Sequence, residues 1–127
     1  MMYKKMLIGL IIGALLTVGI AACTITSGST STMPAVHMGN TDFVQHAVTI
    51  QKGQKLNLID DATSTHIITN GSWVNGSAKP GKEPGAPTVN QTYIGNDSAP
   101  IGPFNTAGTY QLYCTVHQNM NLAVTVQ

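Results

Sequence analysis

The sequence predicts an all-β fold, an antiparallel sandwich of about six to eight short strands. Three observations carry that prediction. Apolar and β-branched residues recur at every second position in several short runs, the period of a half-buried strand. Turn formers, with 13 Gly and 6 Pro in a chain of 127 residues, punctuate those runs. No amphipathic helix of any length is visible, and no internal repeat.

Residues 1–22 have the composition of an export signal. Lys4 and Lys5 precede a nearly unbroken apolar run over residues 6–20. That run is shorter than the roughly 20 residues a permanent membrane span needs. Ile20-Ala21-Ala22-Cys23 resembles a bacterial lipoprotein box, in which the cysteine is lipidated and becomes the mature N-terminus. A lipid on Cys23 would hold the protein at a membrane surface and leave its domain in water. The expected location is therefore outside the cytoplasm, anchored to the bacterial envelope at the outer face of the cytoplasmic membrane or at the outer membrane. The alternative is an ordinary cleaved signal with Cys23 incidental. Residues 23–40 are rich in Ser, Thr and Gly and read as a flexible linker, because they cannot bury enough apolar surface to offset ordering entropy. His37 and Met38, at its end, read as solvated.

Residues 41–127 are the expected domain. Residues 43–50 alternate, with Val44, His46, Val48 and Ile50 on one face, and a turn at residues 51–54 leads to a second alternation carrying Leu56 and Leu58. His46 reads as packed or hydrogen-bonded at a sheet end. Residues 65–70 begin the next strand with His66 at its opening edge, where a side chain can project from the end of a sandwich toward a loop. Residues 71–87 are dense in Gly, Pro, Ser and Lys and read as a long irregular loop. Trp73 in it is expected to be partly buried, since its indole N–H needs a partner. Lys79, Lys82 and Glu83 read as solvated charges. Residues 88–94 form another strand, 95–103 a turn-rich stretch, and 109–114 and 122–126 the last two strands.

Between those last two strands lies the chemistry. Cys114, His117 and Met120 are spaced as Cys-x2-His-x2-Met, three potential metal ligands within one short loop. Soft sulfur favours copper and imidazole suits it; a trigonal two-histidine, one-cysteine site with a weak axial Met is an electron-transfer arrangement. A second histidine must come from elsewhere, and His66 is the candidate. If Cys23 carries lipid, Cys114 has no disulfide partner, and an odd thiol in an exported protein points to a ligating or reactive residue.

The loop, the preceding Ala107-Gly108-Thr109-Tyr110 and an upstream strand histidine resemble the cupredoxin family, over roughly residues 42–127. The resemblance implies a Greek-key sandwich holding one type 1 copper on His66, Cys114, His117 and Met120. It implies electron transfer between redox proteins, with His117 as an electron exit within an apolar patch and Tyr113 as a second exit. Met38, Pro103 and Phe104 are candidate members of the patch. Many cupredoxins carry Asn directly after the first histidine, tying the ligand loops together, whereas this chain has Ile67.

Composition narrows the alternatives. The formal charge of +1 includes Lys4 and Lys5; without them four Lys face five acids, for −1, and the chain has no Arg. No basic stripe exists for nucleic acid. Four histidines are too few for a multicopper oxidase, and no hydrolase motif is present, so neither enzymatic activity nor a small-molecule substrate is expected. An extracytoplasmic copper-binding or chaperone protein is the competing reading.

Overall fold

A computed structural model describes residues 32–127. The expected signal, lipidated Cys23 and first part of the linker lie outside the described residues. Nine strands are present among the described residues: β1 (Ala35–Met38), β2 (Ala47–Ile50), β3 (Leu56–Asp60), β4 (Thr65–Val74), β5 (Ser77–Pro80), β6 (Asn90–Ile94), β7 (Ser98–Ile101), β8 (Gly108–Cys114) and β9 (Asn121–Val126). No helix among the described residues is long and apolar enough to cross a membrane.

The alternation that predicted strands also decides what they bury. In β3, Leu56, Leu58 and Asp60 point inward while Asn57 and Ile59 are half-buried, and β9 alternates in the same way with Leu122, Val124 and Val126 inside. Three strands form one sheet in the order β1-β3-β7; six form the other, in the order β2-β9-β8-β4-β5, with β6 also paired to β4. Val36, Met38, Leu56 and Leu58 from the first sheet meet Ile68, Leu112, Leu122 and Val124 from the second in one apolar core. Burying that apolar surface is what holds the two sheets face to face.

The sandwich has two distinct ends. At one, Lys52 N–H donates to Gln127 O, Gly53 N–H to Phe104 O and Phe104 N–H to Gln54 O. At the other, β3 ends at Asp60, β4 begins beside it, and β8 passes into β9 through residues 115–120.

Several expectations need correction. The sheets are mixed, because β1 pairs β3 and β2 pairs β9 in parallel. Those pairings join segments far apart in sequence, and alternation within one strand does not reveal its partner. The linker expected through residue 40 ends earlier: Val36 and Met38 are fully buried in β1, and Asn57 N–H donates to Pro34 O. Four residues between Pro34 and Gly39 are too short a run for period two to stand out.

The strand expected over residues 43–50 covers only Ala47–Ile50. Phe43 is buried and bridges Met38, while Val44 is 62% exposed, because the Asp42 side chain takes the Phe43 N–H and bends the chain. The loop expected over residues 71–87 contains the second half of β4 and all of β5. Asn75 and Gly76 connect them with φ values of 50° and 76°, as a two-residue hairpin turn with both residues left-handed requires. The stretch expected to be turns over residues 95–103 contains β7, paired to β3.

Candidate metal centre

β4 and β8 lie side by side, with Ile68 opposite Cys114. This pairing puts the last residue of β8 near the second residue of β4, and so brings together side chains 48 positions apart. Cys114 Sγ lies 3.8 Å from His66 Nδ1 and 3.5 Å from His117 Nδ1. The two imidazoles are 4.8 Å apart between ring centres and tilted by 54°. Cys114 and His66 have no exposed surface, whereas His117 is half-buried. Among the described residues these three form a cluster able to hold a metal ion, with their ligand atoms all within 4.8 Å of one another.

The loop is closed by its own backbone. Cys114 N–H donates to Met120 O at 3.0 Å and Met120 N–H to His117 O at 3.3 Å, with Asn119 at a φ of 64° making the turn. Met120 is fully buried in the core. Thr115 N–H donates to Ile67 O at 2.9 Å, so the backbone ties the two ligand-bearing segments where Ile67 offers no polar side chain.

Outside the loop, the β4–β5 hairpin acts as a clasp. Trp73 Nε1–H donates to Cys114 O at 2.8 Å, and Gln118 Nε2–H to Gly76 O at 2.9 Å. The Asn121 side chain accepts from Trp73 N–H at 2.7 Å and donates to Trp73 O at 3.0 Å. The partner expected for the Trp73 indole is therefore the backbone of Cys114 itself. Tyr113 packs edge-on against Trp73, with ring centres 6.0 Å apart, and is only 3% exposed. Gly71 makes room for that ring: a Cβ there would come within 2.9 Å of Tyr113, and its φ of 125° already favours glycine.

His66 is oriented from behind. Its Nε2 lies 3.4 Å from Ser64 Oγ and 3.6 Å from Asp60 Oδ1, and the ring also bonds the backbone of Gly39. A proton on Nε2 fits these neighbours and leaves the Nδ1 lone pair facing Cys114. Burial lowers the pKa of His66 below 6.5 and His117 adds to the effect, while Asp60 and the Gly39 bond oppose it. The imidazole is thus neutral at pH 7, the form that ligates metal.

Asp60 escaped the sequence analysis, although its position two residues after Leu58 marks an inward-facing site. Glu83, expected to be solvated, accepts Gln111 N–H at 3.0 Å. His37 and His46 stay outside the cluster, facing Asp61 and Asp42 at the surface. Of the residues expected around His117, Met38 and Phe104 are fully buried, and Pro103 and Phe104 belong to the opposite end of the sandwich. The exposed apolar neighbour is instead Val116, at 51%.

The donor set fits a single ion. Three donors at about 2.0–2.3 Å from a common centre in trigonal array stand roughly 3.5–3.8 Å apart. Both sulfur–nitrogen separations lie in that interval, and the three donor atoms together lie within 4.8 Å of one another, a slightly wider spread.

A scan of protein-family models and a search of curated proteins both return no match. Solved structures do match. The fold is similar to amicyanin from Paracoccus versutus (Thiobacillus versutus), with a TM-score of 0.59 and 19% identity, covering 76% of this chain and 83% of that one. It is similar to a purple cupredoxin from Nitrosopumilus maritimus, with a TM-score of 0.58 and 19% identity over 74% of this chain and 99% of that one. A point mutant of amicyanin in its reduced Cu(I) form at pH 4 gives 0.56 and 19%, over 74% and 81%.

Proposed function

Because the chain folds as a cupredoxin, we propose that it is a mononuclear copper protein that passes single electrons between redox partners. One observation carries this reading: a buried thiol at the end of β8 stands 3.8 Å from the Nδ1 of His66 on the adjoining β4 and 3.5 Å from the Nδ1 of His117 in the loop that follows. Copper bound there supplies a one-electron Cu(II)/Cu(I) couple. His66, Cys114 and His117 would hold it, and the buried Met120 of the same loop would offer a thioether as a further, weaker donor.

The protein's part is to keep those donors still while the charge changes. His66 stands on a strand paired on both sides, to β6 and β8. Cys114 is fixed through its backbone N–H by Met120 and through its carbonyl by Trp73. A site that need not rearrange lowers the barrier to electron transfer, and ligands on paired strands hold their geometry better than ligands on free loops. The enclosed thiol is shielded from oxidants, whereas the half-buried His117 reaches the surface beside Val116. His117 is the electron exit on this reading. A second route through Tyr113 would end at Trp73, which covers it.

Export and lipidation at Cys23 belong to the same proposal, with the domain tethered to the bacterial envelope and serving redox proteins there. Fatty-acid labelling of wild type but not of Cys23→Ser supports the anchor; an unlabelled wild type removes it.

The central test is to load the purified protein with Cu(II) and record its visible spectrum through a cycle of reduction and reoxidation. An intense thiolate-to-copper band that bleaches and returns, and is absent in Cys114→Ser, supports the carrier. Cu(I) that exchanges readily into a mild chelator, with no reversible colour, supports copper handling instead.

A further inference from the structure

Behind His66 lies a carboxylate that neither the fold nor the loop accounts for. Asp60 closes β3 in the inward phase set by Leu56 and Leu58, and its side chain has no exposed surface. Oδ1 accepts the Ala62 N–H at 3.0 Å, a two-residue turn that Asn or Ser would also make. Oδ2 is buried with no hydrogen-bond partner. Lys52, Lys55, Lys79 and Lys82 are all exposed, so no lysine among the described residues offsets this carboxylate. The group it faces is the His66 ring, with Oδ1 3.6 Å from Nε2. A buried carboxylate without a compensating charge is costly, and an orphaned oxygen in a well-packed core calls for a physical cause.

The proposed copper supplies one. A divalent ion with one thiolate and two neutral imidazoles carries a net charge of about +1, and the monovalent ion with the same ligands about zero. A fixed negative charge on the far side of His66 attracts the first state and is indifferent to the second. Resting on the copper reading above, we propose that Asp60 is the built-in counter-charge of the centre, a positioning residue that favours its oxidised form and so lowers its reduction potential through His66.

Asp60→Asn is the informative variant, because it keeps the oxygen that accepts Ala62 N–H and removes the charge. In copper-loaded protein titrated against a mediator of fixed potential, Asp60→Asn should lower the oxidised-to-reduced ratio at least tenfold, equivalent to about 59 mV for one electron. The visible band should keep its position, because the ligands are unchanged. Asp60→Ser, which also caps the turn, should shift the ratio in the same direction. Asp61→Asn, at the exposed partner of His37, should change it less than twofold.

A ratio for Asp60→Asn within twofold of wild type, with the band intact, overturns the proposal and leaves Asp60 as a turn former. If both variants fail to fold, infrared difference spectra of wild type labelled with carboxyl-13C aspartate decide between Cu(II) and Cu(I) forms. A shifted carboxylate band supports the counter-charge, and an unshifted one overturns it. A wild type that takes up no copper removes the proposed function as well, an outcome distinct from a blue protein indifferent to Asp60.

Discussion

His37 stands 2.7 Å from Asp61 with side chains 42% and 53% exposed, whereas His66 stands 3.6 Å from Asp60 with neither exposed at all. His46 and Asp42, also 3.6 Å apart, are 64% and 50% exposed. Contact distance alone ranks the first pair highest. Water reverses the order, because solvent screens exposed charges and their side chains lose entropy when held in one geometry. Inside the sandwich the same two residue types act at low dielectric, and every neighbour they have is fixed. One chain therefore uses the pairing of histidine with aspartate as surface decoration at one place and as part of a site at another.

The largest effect that sharpens this contrast is expected from His66→Ala. Losing one of three clustered donors should weaken copper binding by at least about 100-fold, beyond the 10–100-fold typical of residues that only orient ligands. Competition with a chelator of known affinity measures it, and binding within tenfold of wild type would return His66 to the status of the surface histidines. Trp73→Phe comes next. It strands the carbonyl of Cys114, and unfolding of the metal-free protein in denaturant should show a loss of about 1–3 kcal/mol.

The third effect is a pH dependence from the enclosed histidine. Burial holds His66 below its ordinary 6.5, so as acid is added the unfolded chain takes up a proton before the folded one does. Stability from this group is complete above 6.5 and falls as the pH drops toward the lowered native value. Denaturant midpoints of metal-free protein should decline below pH 6.5, and the decline should shrink in His66→Ala. The smallest effect belongs to His37→Ala and His46→Ala, each expected within about 0.5 kcal/mol of wild type and with unaltered colour. A lost visible band in either would erase the distinction between the two environments.

Much of this was legible in the chain, and the rest was hidden for definite reasons. The spacing of Cys114, His117 and Met120 announced a loop of soft donors, and the strand start at His66 supplied the missing imidazole. Asp60 was readable in principle from the phase of Leu56 and Leu58, but a charged residue at a strand end is easily assigned to the following turn. The β4–β5 hairpin was masked by its own composition: Gly71, Gly76 and Pro80 suggest an irregular loop, although Asn75-Gly76 is a strong hairpin signal. β1 is short, and its parallel partner lies about twenty residues downstream, so only tertiary packing reveals it. Tyr113 sits one residue from a ligand, yet its burial depends on Trp73, forty positions earlier, folding across it.

The parallel pairing of β1 with β3 carries one last consequence. Ala35 aligns with Asn57 and Met38 with Asp60, so the backbone climbs toward His66 as it runs from residue 35 to 38. Met33 and Pro34, just before this strand, therefore lie at the rear of the sandwich beside Gly53 and Lys55, about 10 Å or more of strand away from the donors. The first described residues and the half-buried His117 thus stand at opposite ends of the same sandwich.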